Sequence, residues 1–120
     1  MKTFGRTPGR PTGLEAQAIS RSSILLVFAA PGSDGSRAPA ARAYLVKQSR
    51  QPIRNRRDFL RAQTLCKGSC TFTATTVSTK IKLTVTELLP RSTYYYAVAA
   101  RDNVSKRLGP RSKTVNVRTR

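Results

Sequence analysis

The chain has no histidine and no tryptophan, one methionine, two cysteines and five acidic residues against 23 Lys and Arg in 120 residues. Without histidine it lacks the usual general base, the usual proton shuttle and the commonest metal ligand. The acids Glu15, Asp34, Asp58, Glu87 and Asp102 fall on separate segments, whereas a glycosidase needs two carboxyls flanking one bond. Asp34 and Asp102 meet only if their loops share one end of the molecule. Two sulfurs alone do not hold a metal. No catalytic residue, metal or cofactor is therefore assigned, and an enzyme is a distant third reading. No apolar run approaches the roughly 20 residues that span a bilayer; the longest, 24–31, has the length of a strand. Residues 1–10 start basic, like a signal peptide, but lack its apolar middle. The chain is thus either cytosolic or one module of a larger secreted protein. Its last expected strand ends where the sequence ends, as in a C-terminal module.

What is abundant is positive charge. The formal net charge is +18, and most of the basic residues are Arg. Self-repulsion on that scale disfavours a compact state and favours a polyanionic neighbour, and guanidinium pairs well with phosphate and carboxylate. The plainer reading is a solvated basic coat. At 120 residues with 38% apolar content, the chain has room for one domain with a modest core.

Residues 1–10 hold two Gly, one Pro and three basic residues and read as a flexible basic arm or linker, leaving 11–120 for the domain. Period-two alternation predicts strands at 14–19, 24–28, 41–48, 80–85 and 94–100, and a closing strand at 112–119. Residues 29–35 read as a break and turn. The stretch 51–60 has no clear period; it contains Pro52 and belongs to a basic cluster of Arg50, Arg54, Arg56, Arg57 and Arg61. It reads as a long connection with a turn of helix near 58–61, pinned to the core edge by Phe59. Segments 62–66 and 70–74 flank Lys67-Gly68-Ser69, a hairpin signal. The alternation turns Leu26, Phe28, Tyr44, Val46, Leu83, Tyr94, Tyr96, Val98 and Val115 inward. Leu25 and Val27 then face outward, which suggests a neighbour. No repeat is visible and no helical period persists, so the class is all-β.

The chain is organised around Leu88-Leu89-Pro90-Arg91-Ser92-Thr93-Tyr94-Tyr95-Tyr96-Ala97-Val98. A tyrosine after a proline-bearing corner can place its ring in the core and return its hydroxyl to the corner backbone, as in the tyrosine corner of β-sandwiches. Here the chain resembles a fibronectin type III domain. Phe28-Ala29-Ala30-Pro31 stands where that family has an aromatic-x-x-Pro, with Phe in place of the usual Trp. Tyr44-x-Val46 is similar to its third strand, Leu88-x-Pro90-x-Ser92-x-Tyr94 to its corner, Val98-x-Ala100 to the strand that follows, and Gly109-Pro110-Arg111-Ser112 to the approach to its last strand. The resemblance runs from about 11 to 119. It implies an immunoglobulin-like sandwich of two antiparallel sheets, strands A, B and E facing C′, C, F and G, and roles in adhesion, spacing or ligand binding within extracellular proteins. The wording around Tyr94 is closer to modules of secreted bacterial proteins. The region 50–79 departs from compact members, and no Arg-Gly-Asp tripeptide is present, so integrin binding is not carried over.

Cys66 and Cys70 fall on facing arms of the expected hairpin, where Cα atoms lie about 4.5–5.5 Å apart, within disulfide reach. A structural disulfide is the first reading and free thiols the second; a disulfide would favour an oxidising compartment. Two surfaces are candidates for binding. The Arg50/Arg54/Arg56/Arg57/Arg61 cluster suits phosphates or sulfates, or is a solvated loop. The outer face of the C–F–G sheet would display Leu45, Lys47, Tyr95, Ala97, Arg101, Asn116 and Arg118, with Tyr95 placed either to stack on a sugar or base or to pack across strands. The leading expectation is a non-catalytic interaction or spacer module of a secreted or cell-surface multidomain protein. Its partners would be other domains of its parent chain, and protein or anionic polysaccharide. The alternative is a small basic β-domain that binds nucleic acid through phosphate contacts without reading bases.

Overall fold

Ile24, Leu26 and Phe28 stand two residues apart, so an extended chain turns all three to one side. All three have no exposed surface. A computed structural model of the chain describes residues 8–34, 37–72, 76–103 and 106–120. Its strands are β1 (Thr12–Ala18), β2 (Ile24–Ala29), β3 (Gly32–Asp34), β4 (Arg37–Ala40) and β5 (Ala43–Ser49). After a short helix α1 (Arg56–Arg61) come β6 (Gln63–Thr64), β7 (Cys70–Thr71), β8 (Lys80–Val85), β9 (Thr93–Arg101), β10 (Leu108–Arg111) and β11 (Val115–Arg118).

One antiparallel sheet runs β1-β2-β8, with Leu26 opposite both Ala16 and Leu83. In the other, β9 lies between β5 on one side and β10 with β11 on the other, and β6 and β7 extend the far edge of β5. Tyr44, Val46, Tyr94, Tyr96, Val98 and Ala100 turn from this sheet onto Ile24, Leu26, Phe28 and Ile81 of the first. The expected inward residues are all in this core, with Leu83 and Val115 partly exposed. Phe28, Tyr44 and Phe72 meet edge to face with centroids 5.0, 5.8 and 6.3 Å apart, the arrangement ring quadrupoles favour.

The corner forms as the sequence suggests. The Tyr94 hydroxyl oxygen accepts a 2.9 Å hydrogen bond from the Leu89 N–H, and Leu88 is buried with its N–H donating to the Ser22 carbonyl. Thr119, buried near the end of the chain, donates through its hydroxyl to the Leu89 carbonyl at 2.6 Å and accepts from the Ser92 N–H at 2.9 Å.

Four local expectations change. Segments 62–66 and 70–72 are not hairpin arms, and residues 73–74 lie outside the described residues. Thr64 sits opposite Lys47 and Cys70 opposite Tyr44, so β6 and β7 run along the same edge of β5. The intervening residues leave β5 in a 3-10 turn, Cys66–Gly68, with Cys66 and Lys67 at φ of +56° and +55°. The closing strand is two pieces, β10 and β11. The break falls at the buried Ser112, whose Oγ accepts from the Val98 N–H at 3.0 Å. The turn at 29–35 contains β3, paired with β4 in a separate ribbon. Of the segment read as an arm, residues 1–7 lie outside the described residues. Pro8 is buried against Gly109, where a Cβ would collide with the Pro8 carbonyl oxygen, and the Gly9 N–H donates to the Gly32 carbonyl at 3.3 Å.

Two core hydroxyls make the fold sensitive to alkali. Tyr44 donates to the Ala41 carbonyl at 2.7 Å and Tyr96 to Gln48 Oε1 at 2.8 Å. Burial raises both pKa values well above the usual 10.0, and neighbouring Tyr94 adds to the rise at Tyr96. The unfolded chain therefore loses phenolic protons that the folded chain still holds. Their contribution to stability is complete below pH 10 and is lost as pH rises toward the folded values. Urea unfolding at stepped alkaline pH should show stability falling above pH 10. In Tyr96→Phe the fall should be shallower by about 1.4 kcal/mol per pH unit; an unchanged slope would remove Tyr96 as the cause.

Candidate anion-binding surface

The connection 50–62 departs most from a plain sandwich, and it carries the arginine cluster. Two apolar side chains decide where it lies. Ile53 and Phe59 are buried, with Leu45 from β5 and Ala97 and Ala99 from β9, in a second core on the outer face of the larger sheet. Asn55 caps α1 by accepting the Asp58 N–H at 2.9 Å, while Asp58 Oδ2 accepts the Arg54 N–H at 3.0 Å. These are reciprocal bonds that satisfy amide groups near the helix start. Phe59 thus pins the connection to the outer sheet face rather than to the edge of the main core.

This cover revises the proposed outer binding face. Lys47 is 5% exposed, with Nζ donating to the Leu60 carbonyl (3.3 Å), the Ala62 carbonyl (3.1 Å) and Thr64 Oγ1 (2.7 Å). It is a latch on the last turn of α1, and burial lowers its pKa. Tyr95 is half-buried and packs against the same second core. Arg101, also half-buried, donates to Ser69 Oγ and to the Lys106 carbonyl, both at 3.2 Å. Of the five polar residues on this face, Asn116 and Arg118 remain exposed. The apolar outward positions Leu45, Ala97 and Ala99 were a signal, in hindsight, that something covers this face.

The same cover sorts the arginines. Arg54, Arg56, Arg57 and Arg61 have exposed side chains on and beside α1. Arg50 is engaged: its Nε donates to the Thr93 carbonyl at 3.1 Å and its guanidinium lies 5.0 Å from the centre of the Tyr94 ring, a cation–π distance. Arg50 and Arg61 border one cavity of about 260 Å³ together with Gln48 and Gln63. Arg56 borders a different one, of about 200 Å³, with Arg10 and Arg111. Arg10 and Arg111 lie outside the sequence cluster, 46 residues before Arg56 and 55 after it, so only the folded chain brings them together.

Cys66 and Cys70 are joined in a disulfide with Cα atoms 5.2 Å apart. It closes the turn between β6 and β7, not a hairpin tip. Among the described residues no group of three or more His, Cys, Asp and Glu is placed to hold a metal, and no helix is long and apolar enough to cross a membrane. Glu15, Asp58, Glu87 and Asp102 stand on separate elements. The side chain of Asp34, considered as a partner of Asp102, lies outside the described residues.

No protein-family profile and no curated protein matches the chain. Solved structures do resemble it. The FN1–FN3 domains of chicken CNTN1 share 18% identity at a TM-score of 0.60, covering 92% of this chain and 30% of that one. Domains d3–d4 of the rat CD45 extracellular region share 18% at 0.60, covering 99% and 53%. The sixth fibronectin type III domain of human fibronectin type III domain containing protein 3 shares 16% at 0.56, covering 98% and 90%. The chain thus has the fibronectin type III fold, and spans less than a third of the CNTN1 structure.

The Lys47 latch should be separable from global stability. In Lys47→Met, the Leu60 and Ala62 carbonyls lose a charged donor. Amide exchange at Phe59 and Ala62 should quicken about tenfold while Val98 changes little. Equal acceleration at all three would mean Lys47 acts on the whole sandwich.

Proposed function

We propose that the chain is a non-catalytic interaction module of a larger extracellular protein, and that it meets an anionic polysaccharide through the arginine ridge on α1. The observation that carries this reading is the exposure of Arg56, Arg57 and Arg61 on, and Arg54 just before, a helix anchored by Phe59 and Lys47. Guanidinium groups held on a fixed support present sulfate or carboxylate with forked donors at little ordering cost. A net charge of +18 raises the local concentration of any polyanion. The disulfide supports an oxidising compartment. Scattered carboxylates and the lack of histidine support a binding role over catalysis. The similar structures in which this fold is one domain among several support neighbouring domains in a parent chain. Tyr95, packed against the sheet cover, favours this reading over the nucleic-acid one, which would use stacking rings.

Fluorescence anisotropy across a salt titration tests it, with a labelled sulfated polysaccharide and labelled duplex DNA as probes. The triple variant Arg54→Ala, Arg57→Ala, Arg61→Ala removes exposed side chains only. Polysaccharide binding should survive about 0.15 M salt, where the screening length is about 8 Å, and should weaken at least tenfold in the variant. Equal binding by variant and wild type would end the proposal. Tighter binding to DNA would put the nucleic-acid reading in its place.

A further inference from the structure

The cavity shared by Arg10, Arg56 and Arg111 differs in kind from the exposed ridge. Its volume is about 200 Å³, its other walls include Phe59, Leu108 and Pro110, and no acidic residue lines it. Three elements deliver the three cations: the segment before β1, helix α1, and the end of β10. Arg111 is the most committed of them. Its guanidinium is half-buried, one Nη donates to the Arg54 carbonyl at 3.2 Å, and its Nε is buried with no acceptor among the described residues. A desolvated donor on a charged group is costly when unmet, and three like charges around one small cavity add to that cost. An anion seated there would offset the like-charge repulsion and draw on the Arg111 guanidinium.

Arg10 also borders a second and larger cavity, about 520 Å³, that runs between residues 10–14 and residues 112–115. Its sides are the start of β1, Thr12–Leu14, and the segment 112–115 that leads into β11; among the described residues these strands pair only with β2 and β9 respectively. Open strand edges offer N–H and C=O groups to an extended main chain. A polysaccharide has no peptide groups to use them and no side chain for the apolar wall.

We propose that this pair of cavities is a docking site for an acidic peptide: a side-chain carboxylate enters the Arg10/Arg56/Arg111 cavity with an apolar neighbour against Phe59, Leu108 and Pro110, and the extended peptide continues past Arg10 between residues 10–14 and residues 112–115. The site goes beyond the polysaccharide reading and shares only Arg56 with the ridge.

The test uses a fluorescein-labelled octapeptide alternating valine with glutamate, and its counterpart alternating valine with glutamine. Arg111→Gln and Arg10→Gln are compared with wild type and with the ridge triple variant. Arg10 is exposed, so its variant remains informative if Arg111→Gln fails to fold. The glutamate peptide should bind and the glutamine peptide should not. Each single variant that folds should weaken binding at least tenfold, as expected for loss of a charged hydrogen bond, while the ridge variant changes it less than threefold. The side-chain Nε–H resonance of Arg111 should move on titration with the glutamate peptide. Equal binding of both peptides, or an unaltered Arg10→Gln, would overturn the assignment. So would displacement of the peptide by the sulfated polysaccharide with matching losses in the ridge variant, since the cavity would then belong to the polysaccharide surface. Loss of polysaccharide binding in the ridge variant with no peptide binding anywhere would leave the first proposal standing and remove this one.

Discussion

The central strand β9 is apolar on both sides, and the rest of the molecule answers that constraint. Tyr94, Tyr96, Val98 and Ala100 face the sandwich core, while Ala97 and Ala99 face the other way and are fully buried. A sheet in a two-layer sandwich ordinarily leaves one face to water. Two alanines and Leu45 on that outer face need a cover, and among the described residues the connection 50–62 provides it. Ile53 and Phe59 supply the apolar contact. Because that connection also carries five arginines, covering the sheet lifts a basic helix onto the surface. The charged ridge is thus a consequence of how the second core is closed.

Lys47 sits at the seam between these demands. Its position in β5 points it beneath the cover, so its ammonium must be either solvated or bonded. The structure bonds it, with three oxygen acceptors from the end of α1 to β6. With five acids against 23 basic residues, carboxylates cannot serve most of the cations, and backbone carbonyls take their place. Arg50 uses that of Thr93, Arg101 that of Lys106 and Arg111 that of Arg54. These bonds hold side chains without neutralising them, so the fold keeps its charge on display. An anionic partner would gain at sites where the protein supplies geometry but no counter-charge.

The sandwich itself was legible because its signals are local and repeated. Alternation in 24–28, 80–85 and 94–100 predicts strands that the structure contains, and Leu88, Pro90 and Tyr94 predict a corner whose hydroxyl bond is present. The errors came where local pattern and tertiary pairing diverge. Lys67-Gly68-Ser69 has the composition of a hairpin turn, but composition does not say whether the flanking segments pair with each other or with a third strand. β5 takes both. Outward alternation of Leu45, Lys47 and Ala97 identified a face correctly but not what lies on it, since that depends on Phe59 twelve residues beyond Lys47. The cavity lined by Arg10, Arg56 and Arg111 had no sequence signature. Its members are far apart, and each alone reads as a solvated cation.

The strand edges are not equivalent, and that asymmetry bears on where an extended partner can join. On one side, the β6–β7 edge is broken by the disulfide-closed turn, with Cys66 and Lys67 in left-handed conformation, and β8 carries exposed Lys80 and Lys82. Short edge strands and lysines are common devices against edge-to-edge pairing. On the other side, β1 is irregular near Gly13, at φ +63°, but continues in regular register from Glu15 to Ala18, and β11 is regular from Val115 to Arg118. The irregularity of β1 lies next to the Arg10 cavity, where the chain turns toward Pro8 and Gly109. No residue of β6, β7 or β8 lines the two cavities that Arg10 borders, while the start of β1 and Val115 of β11 do. A chain carrying negative charge would be attracted to the same side on which a strand can be added.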